Sequence, residues 1–492
     1  MHFVAALDRK PAMRCILGPF EGVVTGAADG YARMAEKPAA TLLHTGPGLA
    51  NGLANMHNAR RAKMPMVNVV GDHASYHLPN DAPLTSDIEA LAKPMSKYVR
   101  RIAEAADVSR ATAEAITQAC NPPTGVTTLI LPADAAWNTL ADDTPIHRAN
   151  RRAPSQIDDA RLPAAIKALT MARSKPALIL AGAALRAEPL RRAAQIAEQT
   201  GARLLAPQAN ARVERGAGRL PIERVPYVVD VALEYLKGIT HLILIGADSP
   251  VTFFAYPGKP TTPLPIGCEV VTLADETDDG PGALDLLAQA LGLPDTPPPL
   301  LSSGATRPDP STGALTPASI AAGVGHYLPE NAIICDEAIT SGRDFFMYTH
   351  GAAPHDYLQL TGGAIGEGLP LACGAAVACP DRKVIGLQAD GSGMYTNQAL
   401  WTIARENLDV CLVIFANHSY AILHGELQNV GAGAPGRNAS RMLNLDEPVI
   451  DWVMLAKSMG IEGASATTTE EFNMLFKSAM SRKGPFLIEA MI

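Results

Sequence analysis

The residues best placed to do chemistry are an aspartate and an asparagine, Asp390 and Asn417, each standing directly after an apolar run. In QADGSGMYTNQALWTIARENLDVCLVIFANHSY (388–420), KVIGLQA (383–389) and VCLVIFA (410–416) read as buried strands, DGSG as a tight turn and MYTNQALWTIARENL as a helix. A strand, helix, strand crossover returns the chain in the same direction, so both residues fall at the carboxyl edge of one sheet. Neighbouring strands lie about 4.8 Å apart, close enough for two oxygen-bearing side chains to share one ion. Those oxygens suit a hard cation, Mg²⁺ or Ca²⁺. The helix after Gly391 and Ser392 turns unpaired N–H groups toward the same edge, where they favour an anion such as phosphate. Each feature also has an ordinary reading, an Asp-Gly turn and a strand-end asparagine. Dinucleotide binding is the weaker functional reading, because Gly391-x-Gly393 lacks a third glycine and no acid follows the next strand.

The elements that position these residues belong to a long chain. Its 492 residues predict two or three domains. Hydrophobic residues make up 47% and charged residues 18%, a balance suited to helices packed closely on parallel sheets. The net charge of -8 comes from 49 acids and 41 bases that are interspersed, so no basic stripe marks a nucleic-acid surface. Seven scattered cysteines, none in CxxC spacing, indicate neither a disulfide framework nor a zinc site, and a reducing cytoplasm is the expected home. No uncharged apolar run reaches the roughly 18 residues that a membrane span needs, and GLPLACGAAVACP (368–380) reads as a core helix. Pro-rich seams at 141–160 and 291–317 divide the chain into regions 1–145, 155–290 and 315–492. Each alternates short apolar runs with Ala-rich helical patterns, which predicts an α/β fold of three doubly wound parallel-sheet domains. MHFVAALDR already reads as a helix with no strand before it, although the third region opens with a complete helix and strand. Either the first sheet lacks its opening strand or the chain start is set too far downstream, and the second is the expectation.

The 388–420 stretch resembles the signature of thiamine diphosphate enzymes: an acidic-Gly pair, a spacer in the high twenties, then Asn. The separation here is 417 − 390 = 27, and Ala389 stands where the family usually has a first glycine. The resemblance implies that Asp390, Asn417 and the Ser419 carbonyl hold Mg²⁺, with Gly391, Ser392 and Tyr395 near the diphosphate. GPFEGVVTGAADGYARMAEKPAATLLHTGPGLANGLANMHNARRAKMPMVNVVGD (18–72) is similar to the pyrimidine-binding region of the acetolactate synthase and benzoylformate decarboxylase group. Glu21 takes the position of the activating glutamate, at the start of a helix and in an apolar setting of Phe20, Val23 and Val24 that would raise its pKa. Gly46, Pro47 and Gly48 of TGPG would form a turn against the flat ring. LTGGAIGEGLPLACGAAVA (360–378) resembles the Gly-Gly-x-x-Gly segment, so the Gly363 carbonyl would accept from the 4′-amino group and Ile365 would wedge the cofactor into its bent shape. Thr340 and Ser341 of DEAITSG would touch the diphosphate. The three regions then become pyrimidine-binding, central and diphosphate-binding domains.

The implied activity is decarboxylation or carboligation of a small-molecule 2-oxo acid in a homodimer or homotetramer with sites between chains. His44 falls where benzoylformate decarboxylase has an active-site histidine. His73, His77 and Phe254 are candidates to line the substrate pocket. The segment after the metal motif lacks the Trp and basic residues that acetolactate synthases use for a second oxo acid, and the short middle region shows no flavin site, so FAD is not expected. The alternatives are a benzoylformate decarboxylase-like enzyme and a non-catalytic subunit of the same fold.

Overall fold

The computed structural model describes residues 1–141, 143–294 and 306–492. Its first sheet contains β1 (Ala39–His44), β2 (Met66–Asp72), β3 (Tyr98–Arg101) and β4 (Val126–Pro132), in the order β1-β2-β4-β3 and parallel throughout. β4 is buried at every position, as a strand covered by helices on both faces must be. α2 (Glu21–Ala35) and α3 (Thr45–Arg61) pack on β1 and on each other, while α1 (His2–Leu7) lies against the short helix Ala133–Trp137 that follows β4.

In the middle of the chain lie β5 (Pro176–Leu180), β6 (Arg203–Ala206), β7 (Val213–Arg215), β8 (Glu223–Arg224), β9 (His241–Ile245) and β10 (Glu269–Ala274). Five of them form a parallel sheet ordered β10-β9-β5-β6-β8. β7 leaves that sheet. It joins the third, built from β11 (Ala332–Glu337), β12 (His355–Gln359), β13 (Val384–Ala389), β14 (Val410–Ala416), β15 (Glu462–Ala466) and β16 (Phe486–Met491). The order is β15-β16-β14-β13-β11-β12-β7, with β7 antiparallel at the edge and every other pair parallel.

The first and third sheets meet through two helices whose backbones nearly touch. A Cβ on Gly26 of α2 would stand 2.7 Å from Pro370 in the Gly368–Ala378 helix, one on Gly30 would collide with the Leu371 carbonyl, and one on Gly374 would collide with the Ala27 carbonyl. Val23 and Met34, on the same helix, join the apolar cluster beneath β13 and β14.

Two local readings of the sequence are corrected. TGPG is the first turn of α3 rather than a loop: Thr45 takes the positive φ of 55°, and Pro47 fits because first-turn amides have no intrahelical acceptor to lose. The helix read over MYTNQALWTIARENL is shorter. Asp390–Gly393 makes one helical turn, and regular helix resumes only at Ala399–Arg405, after the polar Thr396 and Asn397 bond to nearby carbonyls.

Candidate active site

β13 and β14 are adjacent and parallel, with Ala389 opposite Phe415, so Asp390 and Asn417 emerge side by side at one sheet edge. Asp390 Oδ1 accepts from the Gly391 amide at 2.8 Å and Oδ2 from the His418 amide at 2.7 Å. Asn417 Oδ1 accepts from the Ser419 amide at 3.0 Å. His418 takes a φ of 52°, which turns the chain so that its N–H faces back toward Asp390. Burial pushes the Asp390 carboxyl above its usual range, and the amides of Gly391 and His418 pull it partly back. A buried carboxylate held by amides, with no lysine or arginine against it among the described residues and beside an amide oxygen, fits a hard cation.

The same edge carries the expected diphosphate residues. Ser392 is buried; its hydroxyl donates to the Ala389 carbonyl at 3.2 Å and accepts from Gln388 Nε2 at 2.6 Å. Thr340 and Ser341 occupy the turn after β11, the neighbour of β13, where Ile339 has a φ of 52°. Tyr395 is exposed, with its Cβ packed against Gly366. Glu337, at the end of β11 and fully buried, accepts from the amides of Gly366 (2.7 Å), Glu367 (3.3 Å) and Gly368 (2.7 Å) and from Gln388 Nε2 (2.9 Å). Burial raises the Glu337 carboxyl, and these donors offset part of that rise.

Between β12 and the Gly368–Ala378 helix runs the segment 360–367. Gly363 has a φ of 76°, a conformation that glycine alone adopts without strain, and Phe253 packs on it. Ile365 is half-buried. The segment rests on α3: Thr361 donates to the Asn58 carbonyl at 3.0 Å, His57 Nε2 lies 3.1 Å from the Gly362 carbonyl, and Asn55 Nδ2 donates to the Gly366 carbonyl at 3.1 Å.

Glu21 opens α2, half-buried, and its Oε2 accepts from Asn51 Nδ2 at 3.1 Å while Oε1 faces Gly48. Its contacts are therefore with Asn51 and Gly48 of α3. Successive helical residues are about 100° apart, so Val23 points into the core while Glu21 looks across at α3. Gly46 and Gly48 are buried and Pro47 is exposed. His44, exposed at the end of β1, directly precedes α3. His73 is half-buried with its ring 5.7 Å from that of exposed His77. Phe254 is exposed and packs edge-on to Phe253 at 4.8 Å; it is Phe253, not Phe254, that meets the glycine loop.

Sequence reasoning missed Glu337, Gln388, Thr396, Asn55, Asn58, Phe253 and Arg33. A visible signal existed for two of them: Asn51, Asn55 and Asn58 recur at spacings of four and three, which places them on one face of α3.

Comparison with known proteins places the chain in a family. The thiamine pyrophosphate enzyme C-terminal TPP binding domain matches residues 343–490, and the N-terminal TPP binding domain matches residues 1–91. The chain is 50% identical to the "Putative acetolactate synthase large subunit IlvX" of Mycobacterium tuberculosis over 100% of its own length and 94% of that protein. It is 30% identical to benzoylformate decarboxylase of Pseudomonas aeruginosa over 98% of this chain and 92% of the relative. Among solved structures, the thiamine diphosphate-dependent 4-hydroxybenzoylformate decarboxylase of Rhodococcus jostii RHA1 superposes with a TM-score of 0.83 at 27% identity, covering 97% of this chain and 91% of that one. With the strand-end acid and amide, the glycine loop and the opening glutamate of α2 all in the described positions, the chain belongs to the thiamine diphosphate enzymes, in the family of the acetolactate synthases and benzoylformate decarboxylases.

Proposed function

We propose that this is a cytoplasmic, Mg²⁺- and thiamine diphosphate-dependent enzyme that decarboxylates or ligates 2-oxo acids in the manner of acetolactate synthase. The observation that carries the reading is the pairing of Asp390 and Asn417 on adjacent parallel strand ends, beside the buried helical turn Asp390–Gly393. Asp390, Asn417 and the Ser419 carbonyl would hold Mg²⁺. Gly391, Ser392, Tyr395, Thr340 and Ser341 would face the diphosphate, and Gly363 and Ile365 the rings.

Thiamine diphosphate, when bound, supplies a carbon nucleophile for the 2-oxo group and an electron sink for the bond that breaks. The chain contributes position and protons. Glu21 would hold a proton at N1′ of the aminopyrimidine, with Asn51 fixing its carboxylate and Gly46, Pro47 and Gly48 leaving room for the ring. His44 would exchange a proton at the reacting carbonyl oxygen, and His73, His77 and Phe254 would border the substrate. Exposed His44, Met394 and Tyr395 and half-buried Glu21 support a homodimer or homotetramer in which a second copy covers the site.

His44 favours a second reading, simple decarboxylation to an aldehyde without ligation. A CO₂-release screen over pyruvate, benzoylformate and longer 2-oxo acids, with product analysis, separates the two: a 2-hydroxyketone supports ligation and an aldehyde supports decarboxylation. Cofactor binding with no turnover on any of them would leave the non-catalytic subunit as the better reading. Glu21→Gln should bind the cofactor yet lose exchange of its C2 proton, and unchanged exchange would remove Glu21 from the mechanism.

A further inference from the structure

We propose that Asn58 is a positioning residue that aims the Gly363 carbonyl at the aminopyrimidine, an inference that rests on the cofactor reading above. Asn58 is fully buried on α3. Its side chain pairs with both backbone groups of one residue in the loop: Oδ1 accepts from the Ala364 amide at 3.2 Å and Nδ2 donates to the Ala364 carbonyl at 2.8 Å.

The consequence follows from peptide geometry. The Ala364 N–H and the Gly363 C=O belong to one peptide unit, which is not among the cis bonds of the structure. In a trans unit the two groups point in opposite directions. By fixing the Ala364 N–H, Asn58 therefore turns the Gly363 oxygen away from α3, toward the face that would receive the 4′-amino group. Holding the Ala364 C=O fixes the next unit in the same way, and with it the backbone of Ile365. Glycine at 363, with its φ of 76°, has no side chain to limit its rotation, so the restraint must come from outside the loop.

Asn58 is itself fixed. Its Nδ2 also donates to Asn55 Oδ1 at 2.9 Å, and Asn55 Nδ2 donates to the Gly22 carbonyl at 2.8 Å as well as to Gly366. The amide pair thus refers the loop to the first turn of α2, next to Glu21. A Cβ on Gly362 would collide with Asn58 Oδ1, so the fit depends on glycine there too.

The test uses two ligands that differ at the atom in question. Thiamine diphosphate carries a 4′-amino donor, and oxythiamine diphosphate carries an oxygen that would oppose the Gly363 carbonyl. Calorimetric titration of the full chain with each, in the presence of Mg²⁺, should give a preference for the amino compound in the wild type. Asn58→Ala should shrink that preference about tenfold, the range of one hydrogen bond, while affinity for the oxo compound changes little. A general loss of stability would weaken both ligands alike and leave the ratio intact. An unchanged ratio overturns the inference; wild-type protein that binds neither compound overturns the cofactor reading and this inference with it. Amide hydrogen exchange on the cofactor-free wild type gives a second readout: Ala364 should be strongly protected, and rapid exchange at Ala364 would also overturn the role of Asn58.

Discussion

The guanidinium of Arg33 stands 2.7 Å from the carboxylate of Glu367, 334 residues further along the chain, with both side chains shut off from solvent. Arg33 also makes two hydrogen bonds to Asp29, at 2.9 and 2.6 Å, and donates to the carbonyls of Gln359 at 2.7 Å and Ala211 at 3.3 Å. One side chain therefore ties α2, the middle of the chain and the glycine loop together. Burial drives the Glu367 carboxyl well above its ordinary range, and the Arg33 charge opposes that shift.

Removing Arg33 leaves two buried carboxylates facing each other. Arg33→Ala should cost about 3–5 kcal/mol, the range for breaking a buried pair by deleting one partner. Urea unfolding followed by circular dichroism measures it. A variant within about 0.5 kcal/mol of wild type would mean that Arg33 does not tie these elements together.

The helix contact next to this pair depends on glycine. Gly30→Ala places a methyl group into the Leu371 carbonyl, a backbone atom that moves only with its helix. A loss of about 1–3 kcal/mol should follow, by separation of α2 from the Gly368–Ala378 helix. Thermal unfolding reads this directly, and an unchanged midpoint would show that the helices have room to part.

These two cases mark what the sequence alone could reveal. Asp390 and Asn417 were legible because strand ends in a crossover unit are local features, and the pattern of the 26 residues between them fixes their common edge. KVIGLQA and VCLVIFA, read as strands, are the strands Val384–Ala389 and Val410–Ala416 for the same reason. Arg33 and Glu337 were not legible. Charged residues on a helix or at a strand end ordinarily face water, and only the approach of other segments buries them, 334 residues away for Arg33 and 29 to 51 residues away for Glu337. TGPG misled because glycine and proline usually punctuate, whereas here they occupy the one helical turn that tolerates both. β7 was hidden because three residues carry too short a pattern, and its partner β12 lies in another part of the chain.

Stability should fall in mild acid. His355 is buried, and burial followed by the charge of Arg215 pushes it down to about 3 from the usual 6.5; Arg219 adds to this, while Asp356 and the Ala353 carbonyl oppose it. His350, half-buried, is pushed down to about 4 by burial and Arg215. Above pH 6.5 these rings are neutral in both the folded and the unfolded chain and contribute no slope. As pH falls from 6.5 toward 4, the unfolded chain takes up protons that the folded chain refuses, so stability drops by up to about 1.4 kcal/mol per pH unit for each histidine. His355→Gln should flatten the dependence of the unfolding midpoint on pH in that window. An equally steep profile in the variant would assign the acid sensitivity to other groups.

Cofactor binding turns on the oxygen pair at the ends of β13 and β14. Calorimetric titration with thiamine diphosphate, with and without Mg²⁺, on the wild type and on Asp390→Ala tests it most directly. The expected result is tight binding to the wild type only when Mg²⁺ is present, and at least a hundredfold weaker binding to the variant, about 2.7 kcal/mol. Equal affinity in the two proteins, or binding indifferent to Mg²⁺, would contradict it.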